Sequence, residues 1–459
     1  MRIVVAGAGL SGLSLCHALQ EKLEAAGKQP EIILLESEER AGGKVRTHRE
    51  RGYVMEWGPN GFLNNKPDTL ELCRKLGIDN KLLPSNDAAR RRFIYADGRL
   101  HDISPPKLIM GDLLSWPSKF RLAGEYFVPK RTDPSDETLA DFARRRLGHQ
   151  ALERLIGPMA SGVFGGDPET MSLKSCFPAI YNLEQTYGGL FRGLLAKRAE
   201  KKKKGIKDSA GPAGPGGVLT SFEGGLDVLT DALRSSFKGR LLLSSPAKNV
   251  TVSGGKFQIS AGHENIEADI FITASPAYAA AEFLAPIDPS IPEILNGIQY
   301  APMSVIGLGF DKAGIGHDLN GFGFLVGMNE NRKLIGTLWD SSVFNGRAPE
   351  GKCSLRSMTG GGRDLKTPFL PDDELAQAIV SELRLIMGIK GNPELVKIFR
   401  HEKAIPMYTI GHSVRLEWLD RIEAKNPGVF FAGNAYRGVG LNDCVREAYA
   451  VADKVMKLV

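Results

Sequence analysis

Two short apolar runs flank a segment of helical periodicity at the start of the chain. Residues 2–6 and 31–36 are dominated by apolar side chains and are short enough to be strands buried on both faces of a sheet. Between them, residues 11–26 repeat apolar side chains at the spacing of a helix. A strand, a helix and a strand in this order predict a βαβ unit and hence a parallel sheet.

The hydrophobic pattern changes twice further along the chain. From residue 85 to 204, helical segments dominate and are separated by proline-rich breaks. Residues 205–217 carry too few apolar side chains to offset the entropy of ordering them, which predicts a mobile loop. Strands are then predicted at 240–243, 248–252, 257–259, 269–273, 304–310, 323–326, 334–338 and 429–432, and helices at 373–387 and from about 442.

Length and composition narrow the class of protein. At 459 residues and 42% hydrophobic content, the chain is too long for a single core, so we expect two or three domains. The net charge of +6 fits an anionic ligand or an anionic membrane surface without requiring either. No apolar run reaches the roughly 18 residues that span a bilayer, and no signal-peptide pattern is present, so we expect a cytoplasmic protein. The five scattered cysteines predict free thiols and no metal site, and no motif indicates nucleic-acid binding.

The turn after the first predicted strand carries a glycine pattern typical of dinucleotide binding. The motif Gly7-Ala8-Gly9-Leu10-Ser11-Gly12 links this strand to the helix. Its first glycine permits the tight turn, its second lets the backbone approach a pyrophosphate, and its third lets helix and strand pack closely. The helix N-terminus favours the anion, and Glu36, at the end of the second strand, is placed to bind the ribose hydroxyls.

Two further motifs favour FAD over NAD as the dinucleotide. Arg40, Gly42 and Gly43 form an Arg-x-Gly-Gly element that resembles the signature of the flavin amine oxidase superfamily, in which the arginine and the glycine amides meet the diphosphate and the flavin. Near the other end of the chain, Gly433-Asn434 followed by Gly438-Val439-Gly440-Leu441 resembles the second FAD motif of that superfamily. Asn434 stands where that motif usually has an acid, which keeps a polar partner for the ribityl chain but removes a charge.

Six stretches of sequence narrow the resemblance. They are Gly-Pro-Asn-Gly-Phe at 58–62, Arg-Phe-Ile-Tyr at 92–95, Ser-Gly-Val-Phe-Gly-Gly-Asp at 161–167, Gly-Phe-Gly-Phe-Leu-Val at 321–326, Ile-Pro-Met-Tyr-Thr-Ile-Gly-His at 405–412 and Gly-Asn-Ala-Tyr-Arg-Gly-Val-Gly-Leu-Asn-Asp-Cys at 433–444. In this order, and over essentially the whole chain, they resemble the protoporphyrinogen/coproporphyrinogen oxidase family.

The resemblance implies a fold and a division into domains. The fold class is α/β, with a p-hydroxybenzoate hydroxylase-like FAD-binding domain, a mixed-sheet substrate domain and an inserted helical membrane-binding domain. The FAD-binding domain is expected in three parts, at 1–84 (with the start of an excursion into the substrate domain), 218–285 and 411–459. The helical domain is expected at 85–204 and the substrate domain at 286–410.

The resemblance also implies a reaction. Protoporphyrinogen IX would be oxidised to protoporphyrin IX, a step of haem biosynthesis, by three hydride transfers to FAD, with molecular oxygen or a quinone as the electron acceptor and H2O2 as the product with oxygen. A porphyrinogen is a large apolar macrocycle that bears propionates, so its pocket should be mostly apolar with one or two cationic anchors. Because the flavin carries the chemistry, no catalytic acid or base is predicted.

Residues for both ligands follow from the resemblance. The FAD contacts that it implies, in addition to those named above, are Ser37, Lys44, Gly58, Pro59, Asn60 and Val250. Arg92 matches the position that pairs with a substrate propionate, and Gly162 the position that lets a pyrrole ring approach the backbone. The apolar positions that would sandwich the macrocycle are Phe322, Leu325, Leu338 and Met358.

A surface for membrane contact is predicted in the helical segment. Residues 106–130 mix apolar and aromatic side chains with Lys107, Lys119 and Arg121, which suits peripheral binding to the cytoplasmic membrane. An ordinary amphipathic pair of helices would give the same pattern. The resemblance further suggests a homodimer.

Three other functions remain open at this point. Coproporphyrinogen III carries four propionates, so oxidation to coproporphyrin III should need a more basic pocket, whereas Arg92 and residues 440–444 favour the protoporphyrinogen branch. A flavin amine oxidase usually has an aromatic cage beside the flavin, and here Tyr436 is flanked by Arg437, which disfavours a cationic amine. A non-catalytic flavin-binding porphyrin carrier would share the cofactor motifs.

Overall fold

A five-stranded parallel sheet forms the centre of the dinucleotide-binding part. The computed structural model describes residues 1–203, 210–211, 214–215 and 217–459, so most of the loop predicted at 205–217 lies outside the described residues. The strands of the sheet lie in the order Arg240–Leu242, Glu31–Leu35, Arg2–Ala6, Ile270–Thr273 and Val429–Phe431. The predicted βαβ unit is present, with the helix Leu10–Ala25 between its strands.

Different elements cover the two faces of this sheet. Ile3 and Val5 face a helical layer, and Val4 and Ala6 face a layer of strands and helices. The helices of the first layer are Leu10–Ala25, Pro67–Lys75, Asp227–Ser236 and Leu441–Met456. The second layer consists of the antiparallel strands Ala247–Ser253, Lys256–Ala261 and Glu264–Ala268 and the helices Ala277–Phe283, Ile291–Asn296 and His412–Lys425. Burial on both faces explains why the strands of this sheet are continuous apolar runs in the sequence.

A second, mixed sheet has seven strands. They lie in the order Leu395–Pro406, Tyr300–Asp311, Lys352–Gly360, Leu334–Leu338, Gly323–Val326, Phe93–Ala96 and Arg99–Asp102. Neighbouring strands are antiparallel except for Gly323–Val326 and Phe93–Ala96, which run parallel. The hairpin of residues 93–102 falls within the segment 85–204 that was assigned to the helical domain, so the chain adds an edge to this sheet before it enters the helices.

Helices fill the segment between this hairpin and residue 203. They are Pro105–Met110, Trp116–Ala123, Leu139–Arg146, His149–Ala151, Gly157–Phe164, Leu173–Cys176, Pro178–Tyr187 and Leu190–Lys203, with a 3-10 turn at Gly124–Phe127 and a π-helical turn at Leu152–Ile156. The wholly buried Arg146 donates hydrogen bonds to Glu125 at 2.6 Å and to Glu184 at 2.8 Å. Because an unpaired buried cation would cost several kcal/mol, these two carboxylates fix how three of the helical elements pack.

The remaining elements are short, apart from the helix Asp372–Met387. Strand Thr47–Glu50 pairs with Tyr53–Glu56, strands Phe62–Leu63, Leu219–Phe222 and Leu82–Pro84 form a small sheet, and Ala210–Gly211 pairs with Gly214–Pro215. Helical turns occur at Asp79–Lys81, Asp87–Arg90, Lys312–Gly314, Asp340–Val343 and Thr367–Phe369. The α/β class with parallel and mixed sheets agrees with the prediction. Within the described ranges, no helix is both long enough and apolar enough to span a bilayer.

Candidate functional site

The glycine loop follows the first strand at the carboxyl edge of the five-stranded sheet. Gly7 has a φ of +106°, and a Cβ there would lie 2.9 Å from the carbonyl of Ala274, so the turn requires glycine. A Cβ on Gly12 would collide with the carbonyl of Gly7. A Cβ on Gly9, by contrast, would meet nothing closer than the Cα of Gly43 at 3.9 Å. The Gly9 backbone therefore borders open space that a pyrophosphate can enter.

Two helices begin at this edge and pack against each other in one core. The first begins at Leu10 after Gly9 and continues through Ser11, and the second begins at Leu441 after Gly440. Both cap residues are glycines and have no side chain to accept the first N–H groups. These N–H groups and the helix dipoles are therefore available to an anion such as a diphosphate.

The carboxylate of Glu36 is buried beside the glycine loop. Its Oε2 accepts the N–H of Ala8 at 2.9 Å. Its Oε1 accepts the N–H of Glu38 at 3.0 Å and the hydroxyl of Ser37 at 3.2 Å. A carboxylate has about four lone-pair positions, so it keeps capacity for a ribose hydroxyl while the protein holds it in place.

The loop of residues 40–44 lies directly against the glycine loop. The N–H of Gly42 donates to the carbonyl of Ala8 at 2.8 Å, and both Gly42 and Gly43 have positive φ, at +113° and +56°. Arg40 donates to the carbonyl of Gly43 at 3.2 Å and to that of Val45 at 3.4 Å. The arginine thus braces the backbone of this loop, and burial lowers its pKa.

Lys44 joins this loop to the seven-stranded sheet. Its Nζ donates to the carbonyl of Lys403 at 2.6 Å and to that of Ala404. Burial lowers the pKa of Lys44 to about 8. A Cβ on Gly58 would lie 3.0 Å from the carbonyl of Lys44, so the segment that begins at Gly58 runs close beside it.

Two buried charges that the sequence analysis missed hold the segment Gly58-Pro59-Asn60. Arg356 donates to the carbonyl of Gly58 at 2.6 Å, and the amide of Asn60 donates to Asp340 at 3.3 Å. Arg356 and Asp340 form an ion pair at 3.3 Å and are almost wholly buried. Burial raises the pKa of Asp340 against the opposing effect of Arg356. The Oδ1 of Asn60 is buried and has no partner among the described residues, so it is available to a bound cofactor.

The C-terminal glycine motif lies at the same edge as the N-terminal one. A Cβ on Gly433 would lie 3.6 Å from the carbonyl of Ala274, the group that also faces Gly7. The hydroxyl of Tyr408 donates to the carbonyl of Asn434 at 2.6 Å and accepts the N–H of Gly438 at 2.8 Å. The two predicted FAD motifs are therefore brought together although more than 400 residues separate them in the sequence.

Side chains of the helical segment and of residues 408–412 support this C-terminal motif. Val439 packs against the apolar cluster that contains Phe164 and Tyr408. The buried ring of His412 stacks on Tyr408 at 4.0 Å and shares a hydrogen bond of 2.8 Å with the carbonyl of Tyr436. Burial lowers the pKa of His412 to about 4, so the ring is neutral at neutral pH and its Nε2 is the donor.

Val250 differs from the other predicted FAD contacts. It is fully buried in strand Ala247–Ser253, within the core beneath the five-stranded sheet. Its side chain contacts protein, so any contact with a cofactor must use its backbone.

Four of the predicted substrate residues, Arg92, Leu325, Leu338 and Met358, lie along one face of the seven-stranded sheet. Leu325, Gly336 and Met358 lie opposite one another in one row. The next row contains Leu338, which lies two residues after Gly336. It also contains Arg92, which lies two residues before Ile94, the residue opposite Leu325. Because side chains alternate along a strand, these four side chains point to the same side. Phe322 precedes strand Gly323–Val326 and is not placed on this face by the alternation.

The helix Gly157–Phe164 lies over this face. A Cβ on Gly162 would lie 2.6 Å from Cδ2 of Leu325, so the glycine allows the helix backbone to approach the sheet. A π-helical turn, which is common near functional sites, directly precedes this helix. The guanidinium of Arg92 lies 5.2 Å from the ring of Phe322, and burial lowers its pKa. The helix therefore packs on an apolar part of the sheet that has a half-buried cation at one end.

Two aromatic rings that were not predicted lie beside Met358 on the same face of the sheet. Trp57 stacks on Phe399 with ring centroids 4.6 Å apart, and both pack in a cluster with Met358. The two aromatic residues are separated by 342 positions in the sequence, and no local motif marks either of them.

The structure removes one argument against an amine substrate. Arg437 pairs with Asp420 at 2.5 Å and with Glu447 at 3.0 Å, so its charge is neutralised and does not disfavour a cation. Tyr436 is nearly wholly buried. In the part of the chain that is described, no three His, Cys, Asp or Glu side chains are grouped to hold a metal ion.

The chain is similar to known proteins over nearly its whole length. Residues 10–456 match the model of a family described as flavin containing amine oxidoreductase. The chain is 27% identical to a coproporphyrinogen III oxidase of Bacillus subtilis, over 99% of this chain and 97% of the relative. It is 31% identical to a chloroplastic protoporphyrinogen oxidase of Oryza sativa, over 98% of this chain and 87% of the relative.

A solved structure agrees in fold over the whole length. It comes from Exiguobacterium sp. 255-15 and is provisionally named as a protoporphyrinogen oxidase. It superposes with a TM-score of 0.85 at 27% identity and covers 100% of this chain and 99% of its own. We conclude that this chain belongs to the flavin containing amine oxidoreductase family and is an FAD-dependent oxidoreductase.

Proposed function

We propose that the protein oxidises protoporphyrinogen IX to protoporphyrin IX. The observation that carries this proposal is the apolar face of the seven-stranded sheet beneath helix Gly157–Phe164. It is apolar along Leu325 and Met358, as a saturated macrocycle requires, and it has the cation Arg92 at one end for a propionate. The relatives named above, which match nearly the whole chain, support the same substrate class.

The residues of the chain bind and orient the two ligands. FAD, when bound, supplies the acceptor for a hydride from the macrocycle. The glycine loop, Glu36 and the helix N-termini hold the dinucleotide, and Asn60 keeps a free carbonyl oxygen towards it. Arg92 fixes the orientation of the macrocycle, while the covering helix excludes water. Each of three cycles removes two electrons and two protons from the substrate and passes them to O2, which gives one H2O2 per cycle.

Coproporphyrinogen III is the second candidate substrate, and the Bacillus relative supports it. Anaerobic mixing of the FAD-loaded protein with each porphyrinogen tests both. We expect bleaching of the flavin absorbance by protoporphyrinogen IX, followed by porphyrin fluorescence and H2O2 when air is admitted. A flavin that stays oxidised with both porphyrinogens would contradict the proposal, and bleaching by amines instead would identify an amine oxidase.

We also propose that the helical segment is a membrane-binding domain that docks on the cytoplasmic membrane. Its exposed apolar side chains support this, with Phe120 at 71% and Phe127 at 78% exposure. The further exposed members are Ile109, Met110, Trp116 and Tyr126. In this proposal the hairpin of residues 93–102 is counted with the substrate sheet, and the other predicted domain boundaries are kept.

Sedimentation with anionic liposomes tests the membrane proposal. We expect the double variant Phe120→Ser/Phe127→Ser to remain in the supernatant while the unmodified protein sediments. The control is Leu365→Ser/Leu385→Ser, which removes side chains of 58% and 59% exposure elsewhere. Equal sedimentation of both variants would contradict the proposal. The proposed homodimer is tested on the same samples by analytical ultracentrifugation.

A further inference from the structure

The segment of residues 58–63 lies between the two glycine motifs. At its start, a Cβ on Gly58 would lie 3.0 Å from the carbonyl of Lys44, in the loop beside the N-terminal motif. At its end, the carbonyl of Leu63 accepts the side-chain N–H of Asn442 at 2.9 Å, in the first turn of the helix that follows the C-terminal motif. The segment therefore connects the two motifs that were predicted to bind FAD.

A buried acid fixes the orientation of the Asn60 amide in this segment. The Nδ2 of Asn60 donates to Oδ1 of Asp340 at 3.3 Å, and Oδ2 of Asp340 lies 3.3 Å from Nε of Arg356. Protonation of Asp340 would leave Arg356 buried without its counter-ion, which is strongly unfavourable, so the carboxylate stays ionised. An ionised carboxylate only accepts hydrogen bonds. The amide must therefore turn its nitrogen towards Asp340 and its oxygen away from it.

The amide oxygen of Asn60 has an unused capacity for a hydrogen bond. The residue is only 9% exposed, and its Oδ1 is buried and has no hydrogen-bond partner in the part of the chain that is described. Buried polar atoms are normally hydrogen-bonded, so a donor from a ligand is expected here. Asp340 and Arg356 belong to the part of the chain that forms the seven-stranded sheet, and a flavin that takes a hydride must lie next to its substrate. The donor should therefore come from the flavin half of FAD rather than from its adenosine half.

We propose that Asp340, held by Arg356, is a positioning residue that presents the amide oxygen of Asn60 to the flavin ring. This deepens the proposed function, on which it rests for the position of the substrate. The oxidised ring carries one N–H group, at N3, and an amide oxygen is a suitable acceptor for it. Because the ion pair orients the amide before FAD binds, little ordering is required of it on binding.

Titration of the full-length protein, freed of FAD, tests the role of Asp340. The variant Asn60→Ala removes the acceptor. Asp340→Asn keeps the size of the side chain, but an amide can donate as well as accept, so the Asn60 amide is no longer held in one orientation. The matched control is Glu56→Gln, which removes another buried carboxylate that is paired with an arginine, Arg347, at 3.5 Å. We measure the Kd of FAD and the visible absorption spectrum of the bound flavin.

We expect the Kd of FAD to rise roughly tenfold in Asn60→Ala, since one buried hydrogen bond is lost. The Kd should also rise in Asp340→Asn, and the double variant Asn60→Ala/Asp340→Asn should have the Kd of Asn60→Ala, because Asp340 acts through Asn60. Hydrogen bonds to the ring tune the electronics of a flavin, so the absorption bands should shift in these three variants. The control should keep both the Kd and the spectrum.

If Asp340→Asn does not fold, the variant Asp340→Leu/Arg356→Met takes its place. It replaces the whole ion pair by apolar side chains and leaves no unpaired buried charge. Because this variant also leaves the Asn60 amide without a fixed orientation, its flavin spectrum should shift in the same direction as that of Asn60→Ala.

Three results would overturn the role of Asp340. They are an unchanged Kd and spectrum in Asn60→Ala, additive losses of affinity in the double variant, and an equal loss in Glu56→Gln. None of them affects the proposed substrate, because the titrations contain no porphyrinogen. If porphyrinogens fail to reduce the flavin, the proposed function fails, and the same titrations still decide whether Asp340 positions the Asn60 amide.

Discussion

Replacing Gly162 by alanine tests how closely the covering helix approaches the substrate face. The new Cβ would lie 2.6 Å from Cδ2 and 3.2 Å from Cδ1 of Leu325. Carbon atoms in ordinary contact are about 3.5–4.0 Å apart, so either the leucine tip or the helix must move by about 1 Å. Both movements change the fit between the helix and the sheet face on which the macrocycle is proposed to bind.

Two opposing effects set the size of the change in stability. Overpacking costs about 1–3 kcal/mol, whereas alanine in a helix is favoured over glycine by about 1 kcal/mol. We therefore expect the free energy of unfolding of Gly162→Ala to fall by about 0–2 kcal/mol. A displacement of about 1 Å at the reacting groups lowers rates by up to about 100-fold, so kcat/KM for the porphyrinogen should fall roughly ten- to hundredfold.

The assay is porphyrinogen turnover with a second substitution that removes the clash. Leu325→Val deletes the outer methyl groups that meet the new Cβ, so Gly162→Ala/Leu325→Val should regain most of the lost kcat/KM. Gly124→Ala is the matched control, because a Cβ there meets nothing within 4 Å. Full activity of Gly162→Ala would refute the close approach as a limit on binding of the macrocycle. Loss without rescue would refute Leu325 as its cause.

Three further predictions follow from contacts in the site. Arg92→Gln should lower kcat/KM for the porphyrinogen roughly tenfold or more in turnover assays. The control Arg91→Gln removes a neighbouring cation that pairs with Asp102 and should leave kcat/KM unchanged. Equal losses in the two variants would contradict the role of Arg92. Glu36→Gln should raise the Kd of FAD roughly tenfold, measured by flavin fluorescence, because the anionic acceptor for ribose is lost; retained affinity would contradict it. Burial lowers the pKa of His412 from 6.5 to about 4. Between pH 6.5 and pH 4 the unfolded chain therefore binds more protons than the folded one. The free energy of unfolding should fall as the pH falls, by about 2 kcal/mol between pH 7 and pH 5. Urea unfolding should show a shallower loss for His412→Asn, and an equal slope would contradict the assignment.

The sequence predicted the strands and helices in which buried and exposed residues repeat at a regular spacing. The strands at 323–326 and 334–338 were predicted with the bounds observed, and the helix at 373–387 differs by one residue from Asp372–Met387. The strand Tyr300–Asp311 is longer than the predicted 304–310, since its first residues include Pro302 and polar Tyr300, which weaken the strand pattern. The hairpin of residues 93–102 was placed with the helices because a parallel pairing to a strand more than 200 residues away leaves no local signal.

The residues of the site that the sequence reveals are those at which the backbone geometry allows only one residue type. Gly7, Gly12 and Gly162 stand where any side chain would collide, so the requirement is visible in the sequence. Arg356 and Asp340 were missed because their partners are distant in the chain: Arg356 reaches Gly58, 298 residues away. A buried charge needs a partner, but Arg356 lies in the strand Lys352–Gly360 among serine, threonine and lysine side chains, so the sequence does not show that it is buried.

The strand Lys352–Gly360 links the cofactor part to the substrate part of the site. Arg356 and Met358 are two residues apart and point to the same side, about 7 Å from each other along the strand. Arg356 holds the backbone of Gly58, in the segment that offers the free oxygen of Asn60, while Met358 lies in the row that is proposed to face the macrocycle. In the proposed function, a single rigid element therefore sets the spacing between the two ligands. Because hydride transfer depends steeply on that spacing, a bonded strand positions the reacting groups more reliably than two separate loops would.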